Sequence, residues 1–311
     1  MQIIKSIFKL TVFLCPIFAT AQSVTLPQDD KSEHFLERMD IKQQNNYDLI
    51  LGINKPLERK TAVDVALAAD SLSKLYPNNP AYSLSKVDRY DLNSALINNI
   101  EWTNGNVEGM MSKHPILNTF YVQKSNFYEV NEKDFFLAVN PVIQQIQSKE
   151  SGNSQTVFLN SKGVTLRGMI AGKLGFSAYL TDNQERGPGY FQKMVTASGF
   201  PAVPGAGYYK DFKVTGFDYS DNRASIYFNA WKYFHFQFGY DKNFIGDGYR
   251  SLILSDNSAP YLFLKFNMRI WKLNYDNILM QLVSQHQPGA SETQEVCGQH
   301  ALALCVRRQG G

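Results

Sequence analysis

The clearest β-strand pattern in the chain is Tyr233-Phe234-His235-Phe236-Gln237-Phe238-Gly239-Tyr240. Its three phenylalanines and Tyr240 recur at every second position, whereas His, Gln and Gly stand between them. Successive side chains of a β-strand point to opposite faces, so this segment has one bulky apolar face and one more polar face. It therefore predicts a strand with one side in an apolar environment.

The same period of two extends over residues 131–284, which predicts an antiparallel sheet of about seven or eight strands. The last of these is expected at 277–283. The other predicted apolar faces are Phe135, Leu137 and Val139; Val157 and Leu159; Val164, Leu166 and Ile170; Leu174, Phe176, Ala178 and Leu180; Ile226, Phe228 and Ala230; and Leu262, Leu264, Phe266 and Met268.

Connections between the predicted strands are unequal in length. Two long polar segments, 181–212 and 241–260, contrast with short turns near Gly172 and near Ile270-Trp271. Long loops at one end and short turns at the other are typical of outer-membrane β-barrels, whose apolar face contacts lipid. A secreted soluble β-sandwich would show the same alternation, but the uniformly bulky apolar face favours lipid. The predicted fold is thus all-β, an antiparallel and incomplete outer-membrane barrel.

Residues 1–21 have the features of a secretory signal peptide. Lys5 and Lys9 lead into an apolar run at 10–18, and Ala19-Thr20-Ala21 forms a small-residue cleavage site. The run is too short to cross a bilayer as a helix. Cys15 would also suit a lipoprotein, but Leu14 stands where a small residue is preferred, so cleavage after Ala21 is expected. The chain is therefore predicted to be exported to the outer membrane.

Residues 22–130 differ from the rest and are predicted to form a small, mainly helical periplasmic region. Thr61 to Asp64 read as a capping box that opens a helix over 62–76, with Pro77 as its stop. A second helix is predicted to start at Ser85, with Asp88 three residues on. We expect these helices to pack on the sheet that follows.

Composition excludes several function classes. The net charge of +3 is too small to indicate a nucleic-acid partner. Of the three cysteines, Cys15 lies in the signal peptide and Cys297 and Cys305 lie near the end, so no disulfide framework is predicted for the body of the chain. The sequence has no nucleotide-binding, zinc-protease or serine-hydrolase motif. We therefore predict no cofactor and no enzymatic activity.

The long segment after the strand predicted at 233–240 resembles a known family. The resemblance is carried by 238–252, 254–260, 263–267 and 270–275, with further matches at 183–186, 228–230, 35–38 and 101–103. These stretches are similar to Wzi-type capsule-assembly outer-membrane proteins, in the Bacteroidetes branch often labelled gliding-motility protein RemB. The similarity covers roughly residues 30–283 and is most specific around 238–275.

The resemblance implies an outer-membrane β-barrel with a periplasmic helical element. It implies three partners, namely outer-membrane lipid, the machinery that inserts barrels, and a surface polysaccharide that the protein helps to attach to the cell. The gliding label implies an alternative, a motility-associated protein of the cell surface. A third possibility is a secreted soluble β-protein that acts on carbohydrate.

Residues 285–311 depart from the family pattern. They show no alternation, and they do not end on the aromatic residue that the insertion machinery reads in family members. An open sheet edge is not tolerated in lipid. The resemblance therefore predicts a C-terminally truncated barrel followed by a disordered tail, with closure by another chain as the alternative.

The polar segment 241–256 is the candidate binding site. Tyr240 and Tyr249 offer rings on which a sugar could stack, and the polar residues between them offer hydrogen-bonding groups. The candidate polysaccharide-binding residues are Tyr240, Asp241, Asn243, Asp247, Tyr249, Arg250 and Asp256. The alternative is a folded loop that plugs or braces the barrel.

Two other clusters could carry chemistry. Cys297, His300 and Cys305, with His286 as a fourth ligand, have irregular spacing for zinc, and no metal site is predicted. Asp182 and Glu185 lie beside Arg186 and could form a carboxylate pair that hydrolyses glycosides. We expect these two carboxylates to stabilise a polar loop instead, so no catalytic residue is predicted.

Overall fold

A computed structural model describes residues 23–27, 30–43, 54–103, 109–197, 201–231, 233–246, 251, 253–270, 273–284 and 293–304. The predicted signal peptide lies outside these residues. The described chain is mostly antiparallel β-sheet with a few helices, which confirms the predicted strand-rich class. Among the described residues, no helix is long and apolar enough to cross a membrane.

The N-terminal unit is defined as residues 23–103, and its described residues form three helices, α1 (Lys31–Gln43), α2 (Arg59–Leu75) and α3 (Lys86–Asn98). A single 3-10 turn follows at Ile100–Trp102. The helices bury one another's apolar faces in a common core. That core includes Leu26, Phe35, Leu36, Met39, Ala62, Val63, Val65, Ala66, Ala69, Leu92, Leu96 and Ile100.

The starts of α2 and α3 have different causes. At α3 the predicted capping box is confirmed, because the Asp88 backbone N–H donates to Ser85 Oγ while the Ser85 N–H donates to Asp88. At α2 the predicted box at Thr61 is wrong, since the helix begins at Arg59. The N–H groups of Arg59 and Lys60 donate to Val24 and Ser23, so a distant segment takes the place of a local cap.

Residues 109–127 form turns joined by isolated bridges, Met111 with Gln123 and Ile116 with Phe120. Within the predicted helical region, the described helical residues therefore end at Trp102. The first strand of the main sheet starts at Tyr128.

The main sheet is entirely antiparallel. Its strands are, in spatial order, β2 (Tyr128–Glu132), β3 (Phe135–Lys149), β4 (Thr156–Ile170), β5 (Leu174–Arg186), β9 (Gly216–Trp231), β10 (Phe234–Asp241), β12 (Tyr261–Ile270), β13 (Leu273–Ser284) and β14 (Thr293–Leu304), and β8 (Lys210–Phe212) pairs with β9. In the described part of the chain β2 and β14 are the two edges, so no closed barrel is formed.

Two pairs of short strands lie outside this sheet. β1 (Asn54–Lys55) pairs with β11 (Phe244–Ile245), and β6 (Ala202–Val203) pairs with β7 (Gly207–Tyr208). The segment between β5 and β8 also contains a fourth helix, α4 (Gly189–Ala197).

The strand bounds differ from the predictions in two places. Residues 181–186, predicted as the start of a polar loop, belong to β5, because Thr181 to Glu185 pair in register with Asp221 to Phe217. The predicted tail contains β14, whose backbone pairs along the whole of β13. Backbone pairing with an existing edge strand can order a segment that shows no apolar alternation.

The two ends of the sheet are unequal, as expected. At one end, β2 and β4 join the next strand through turns at 133–134 and 171–173, and only two residues separate β9 from β10 and β12 from β13. At the other end β3 joins β4 through 150–155, and two long connections, 187–215 and 242–260, join β5 to β9 and β10 to β12; we call this the loop end. Ala171 and Gly172 adopt positive φ of 52° and 62°, which gives the tight reversal between β4 and β5.

The two faces of the sheet differ in an unusual way. On the outer face, large apolar side chains are exposed: Phe238 is 51% exposed and Leu264 42%. On the inner face, polar side chains such as Asn229, Gln237 and Lys265 are buried. The N-terminal unit contacts the inner face, where a hydrogen bond of 2.7 Å joins Thr25 Oγ1 and the Tyr227 hydroxyl and Arg167 Nε donates to Glu101.

Candidate functional site

A groove of about 1000 Å³ lies at the loop end, where β10 stops. Tyr240 pairs with Ala224 of β9 at the last register position, whereas β9 continues to Gly216. This difference in strand length leaves a notch beside β9. The notch is lined by residues of β7, β8, β9, β12 and β13 and by the turn at 258–260.

Tyrosines dominate the lining of the groove. They are Tyr208, Tyr209, Tyr219, Tyr240 and Tyr261. Three of them are fixed by neighbours: Tyr209 packs against Phe217, the Tyr219 hydroxyl donates to Glu185 Oε2 (2.8 Å), and the Tyr261 hydroxyl accepts from the Asn243 N–H (3.2 Å). Tyr208 and Tyr240 are half exposed, so their rings are accessible.

Polar groups accompany these rings on the outer side of the groove. Asp182 lies 3.6 Å from Lys162 across β4 and β5, and Gln184 Nε2 donates to Asp218 Oδ2 (3.2 Å). Ser220, Asn222 and Lys210 are exposed and also line the groove. The groove therefore combines accessible aromatic faces with hydrogen-bond donors and acceptors, the combination that recognises sugar rings.

The predicted binding residues that the structure describes do not form one cluster. Tyr240 lines the groove, but Asp241 lies on the opposite face of β10 because neighbouring strand residues point to opposite sides. Asp241 lines a separate inner cavity instead. Asp256 is partly buried in the turn before β12. Asp247, Tyr249 and Arg250 lie outside the described residues.

Asn243, in the loop 242–260, is fully buried. This loop forms β11, which pairs with β1 of the N-terminal unit, and Ile245 packs against Phe263 and Ile278 of the inner face. The Lys55 ammonium lies 5.7 Å over the Phe244 ring. These contacts attach β11 to the N-terminal unit and to the inner face of the sheet.

Sequence reasoning missed the groove residues of 206–210 and 218–222. The signal that could have indicated them is the pair Tyr208-Tyr209 between Gly207 and Lys210. That pair stands in a segment read only as a long polar loop. Its proximity to Tyr240 depends on the pairing of β8 with β9, which the local sequence does not specify.

The proposed carboxylate pair is separated by the strand. Asp182 and Glu185 both lie in β5, three residues apart, so they point to opposite faces. Asp182 approaches Lys162 on the outer face, whereas Glu185 accepts from Tyr219 on the inner face. Two carboxylates on opposite faces cannot flank one glycosidic bond. The prediction that they stabilise a polar loop is also wrong, because both residues belong to a strand.

Two of the four candidate zinc ligands lie within the described residues. Cys297 and His300 belong to β14, and His286 and Cys305 lie outside the described residues. Within the described ranges, no group of three potential metal-binding residues occurs.

Comparison with protein-family models, with curated proteins and with solved structures gave no match to this chain.

Proposed function

We propose that this chain is a non-enzymatic outer-membrane β-barrel protein that helps attach a surface polysaccharide to the cell. The observation that carries the proposal is the distribution of side chains in the sheet, whose outer face exposes large apolar side chains while its inner face buries polar side chains such as Asn229, Gln237 and Lys265 beside apolar ones. A soluble sheet has the opposite arrangement, since water favours polar exposed faces.

The exposed apolar face is continuous across strands. Phe238 pairs with Ile226 on one side and Leu264 on the other, and Leu264 pairs in turn with Leu279. All four side chains are more than two fifths exposed. Contiguous apolar surface of more than a few hundred Å² marks a membrane or protein contact, and strands with alternate apolar residues suit lipid.

The dimensions of this face also fit a bilayer. Along β10 the apolar stripe runs from Phe234 to Tyr240, which is about 20 Å at ~3.3 Å per residue. The lipid-facing band of an outer-membrane barrel is about 25 Å tall and is flanked by aromatic residues. Tyr240 stands at the loop end of the stripe, where such a girdle residue is expected.

The buried polar face supports the same proposal. Lys265 and Asp276 are 6% and 4% exposed on the inner face, and Asn267 Nδ2 donates to Asp276 Oδ1 (2.5 Å). A barrel interior is polar and can be filled by a separate domain or loop. Here the N-terminal unit and the loop 242–260 lie against this face.

The polysaccharide role rests on the groove. Long loops of outer-membrane barrels face the outside of the cell, and the groove lies among the long connections. Its accessible rings, Tyr208 and Tyr240, would stack on sugar rings, while Asp218 and Asn222 would accept and donate hydrogen bonds. The binding-site proposal thus moves from the segment 241–256 to the tyrosine groove.

Cell fractionation tests the membrane part of the proposal. The chain, produced with residues 1–21, is expected in the outer-membrane fraction and is expected to resist extraction by urea. Detection uses an antibody against residues 33–130. Recovery of the folded chain in the soluble periplasmic or secreted fraction would contradict the proposal and favour a soluble β-protein.

A double variant tests the polysaccharide part. Tyr208→Ala with Tyr240→Ala removes both accessible rings and is expected to reduce cell-bound polysaccharide, because the stacking surface for sugar rings is lost. Tyr90→Ala is the matched control, since Tyr90 is 67% exposed on α3 and does not line the groove. Loss of motility with unchanged cell-bound polysaccharide would instead favour the gliding role.

A further inference from the structure

We propose that the cavity between the N-terminal unit and the inner face of the sheet binds a small oxyanion, such as an acidic sugar or phosphate, through Arg59, Arg167 and Arg223. The cavity measures about 350 Å³ and is lined by all three arginines. This volume lies within the range of small-molecule sites. The proposal does not depend on lipid contact or on the tyrosine groove.

Arg59 is the central observation. It is 7% exposed at the first residue of α2, and it makes no ion pair with the described residues. Its hydrogen bonds go to neutral oxygens, namely the backbone carbonyls of Thr25 (3.2 Å) and Asn98 (3.3 Å) and the side-chain oxygen of Asn99 (2.6 Å). These bonds use Nε and Nη1, which leaves Nη2 without a hydrogen bond to the described residues.

A buried guanidinium without a carboxylate is unfavourable. Burial and the neighbouring Arg167 charge lower the pKa of Arg59 to about 10, so it remains protonated at neutral pH. Arg59 is also at the N-terminus of a helix of 17 residues, where the helix dipole favours an anion. The cation and the dipole therefore act in the same direction.

The other two arginines have partners. Glu101 binds Arg167 through two hydrogen bonds of 3.1 and 3.3 Å. Asp221 lies 3.1 Å from Arg223 Nε, and Asp241 lies 3.8 Å from its Nη1. These carboxylates hold the two guanidinium groups in fixed positions around the cavity. Asp241 is the one acidic side chain among the lining residues, against three arginines.

Neutral groups complete the lining. Thr25, Asn140, Thr165 and Ser177 offer hydroxyl and amide groups, and Tyr179 stacks under the Arg223 guanidinium at 4.4 Å. An oxyanion in this cavity would accept charge-assisted hydrogen bonds from the arginines, and the hydroxyl groups of a sugar would meet the neutral groups. Arginine suits carboxylates and phosphates because its planar guanidinium group can donate two parallel hydrogen bonds to two oxygens of the anion.

The test is isothermal titration of the full chain, folded in detergent, with glucuronate, with inorganic phosphate and with glucose. We expect one or both anions to bind and glucose not to bind. Binding of glucuronate alone identifies an acidic sugar, and binding of phosphate alone identifies a phosphate group. Failure of both anions to bind the wild-type chain at concentrations up to about 10 mM would overturn the proposal.

Variants locate the site. Arg59→Gln removes the charge and keeps a donor for Asn99, and it is expected to weaken anion binding about tenfold or more. Arg89→Gln is the matched control, because Arg89 is exposed on α3. Ala138→Leu fills the cavity while it keeps every arginine, and it should also abolish binding. If both cavity variants kept the wild-type affinity for the anion, the proposal would be overturned. This outcome is independent of the tests of lipid contact and of the tyrosine groove.

Discussion

Replacement of Phe238 by lysine distinguishes lipid from water at the outer face. Phe238 is 51% exposed near the middle of the apolar stripe of β10. In a bilayer, a lysine near the midplane of a barrel strand destabilises the protein by about 2–4 kcal/mol. In water, an exposed apolar residue changed to lysine alters stability by no more than about 0.5 kcal/mol. The two environments therefore predict different magnitudes.

Depth provides an internal comparison. Tyr240 lies at the loop end of the same stripe, two residues from Phe238, and Tyr240→Lys is expected to destabilise by only about 0–1 kcal/mol. Val214→Lys is the matched control, because Val214 is 90% exposed in a turn outside the sheet. The expected order of destabilisation is Phe238→Lys, then Tyr240→Lys, then Val214→Lys.

The assay is urea-induced unfolding of the chain from lipid vesicles, with the free energy of unfolding extrapolated to zero urea. The lipid proposal requires a loss of about 2–4 kcal/mol for Phe238→Lys relative to the control. Equal stability of all three variants, together with cooperative unfolding in the absence of lipid and detergent, would refute the reasoning. The exposed face would then have to be covered by another protein surface.

Three further predictions concern the N-terminal unit and its contact with the sheet. Arg167→Met breaks the buried pair with Glu101, whose side chain is 5% exposed, and should destabilise by about 3–5 kcal/mol in urea unfolding, with a smaller loss when Glu101→Leu is added. Ser85→Ala removes the cap of α3 and should cost about 1 kcal/mol by the same assay, whereas Ser85→Gly should cost less. Burial would raise the pKa of Asp88, but hydrogen bonds from Lys42, Ser85 and Arg38 outweigh it and hold that pKa well below its ordinary value. A depressed pKa stabilises the fold above the unfolded pKa of about 3.9, so stability should fall as the pH drops below about 4, and Asp88→Asn should remove part of that dependence.

The strands were largely predictable because alternation is a local property. The segment 233–240 forms β10 with the expected faces, and the apolar residues of β5, β9 and β12 share the outer face as predicted. The cap of α3 was predictable for the same reason, since Ser85 and Asp88 are three residues apart. The start of α2 was not, because its N–H groups bind Val24 and Ser23, which lie far away in sequence.

The candidate site was predictable only at Tyr240. Its neighbours in the groove come from 206–210, 218–222 and 258–262, which meet because β10 is shorter than β9. Asp241 was grouped with Tyr240 on the basis of sequence proximity, but the strand sends it to the inner cavity. Because neighbouring strand residues point to opposite faces, Tyr240 and Asp241 cannot belong to the same site.

The strand period, the unequal lengths of the connections and the presence of one bulky apolar face all follow from the local order of residues. Which face is covered depends instead on tertiary contacts such as Glu101 with Arg167 and Thr25 with Tyr227, because these contacts join residues far apart in the chain. Tertiary pairing also decided that β14 extends the sheet and that three arginines from α2, β4 and β9 line one cavity. Periodicity fixes the direction of each side chain relative to its own strand, whereas the environment that the side chain meets depends on distant segments.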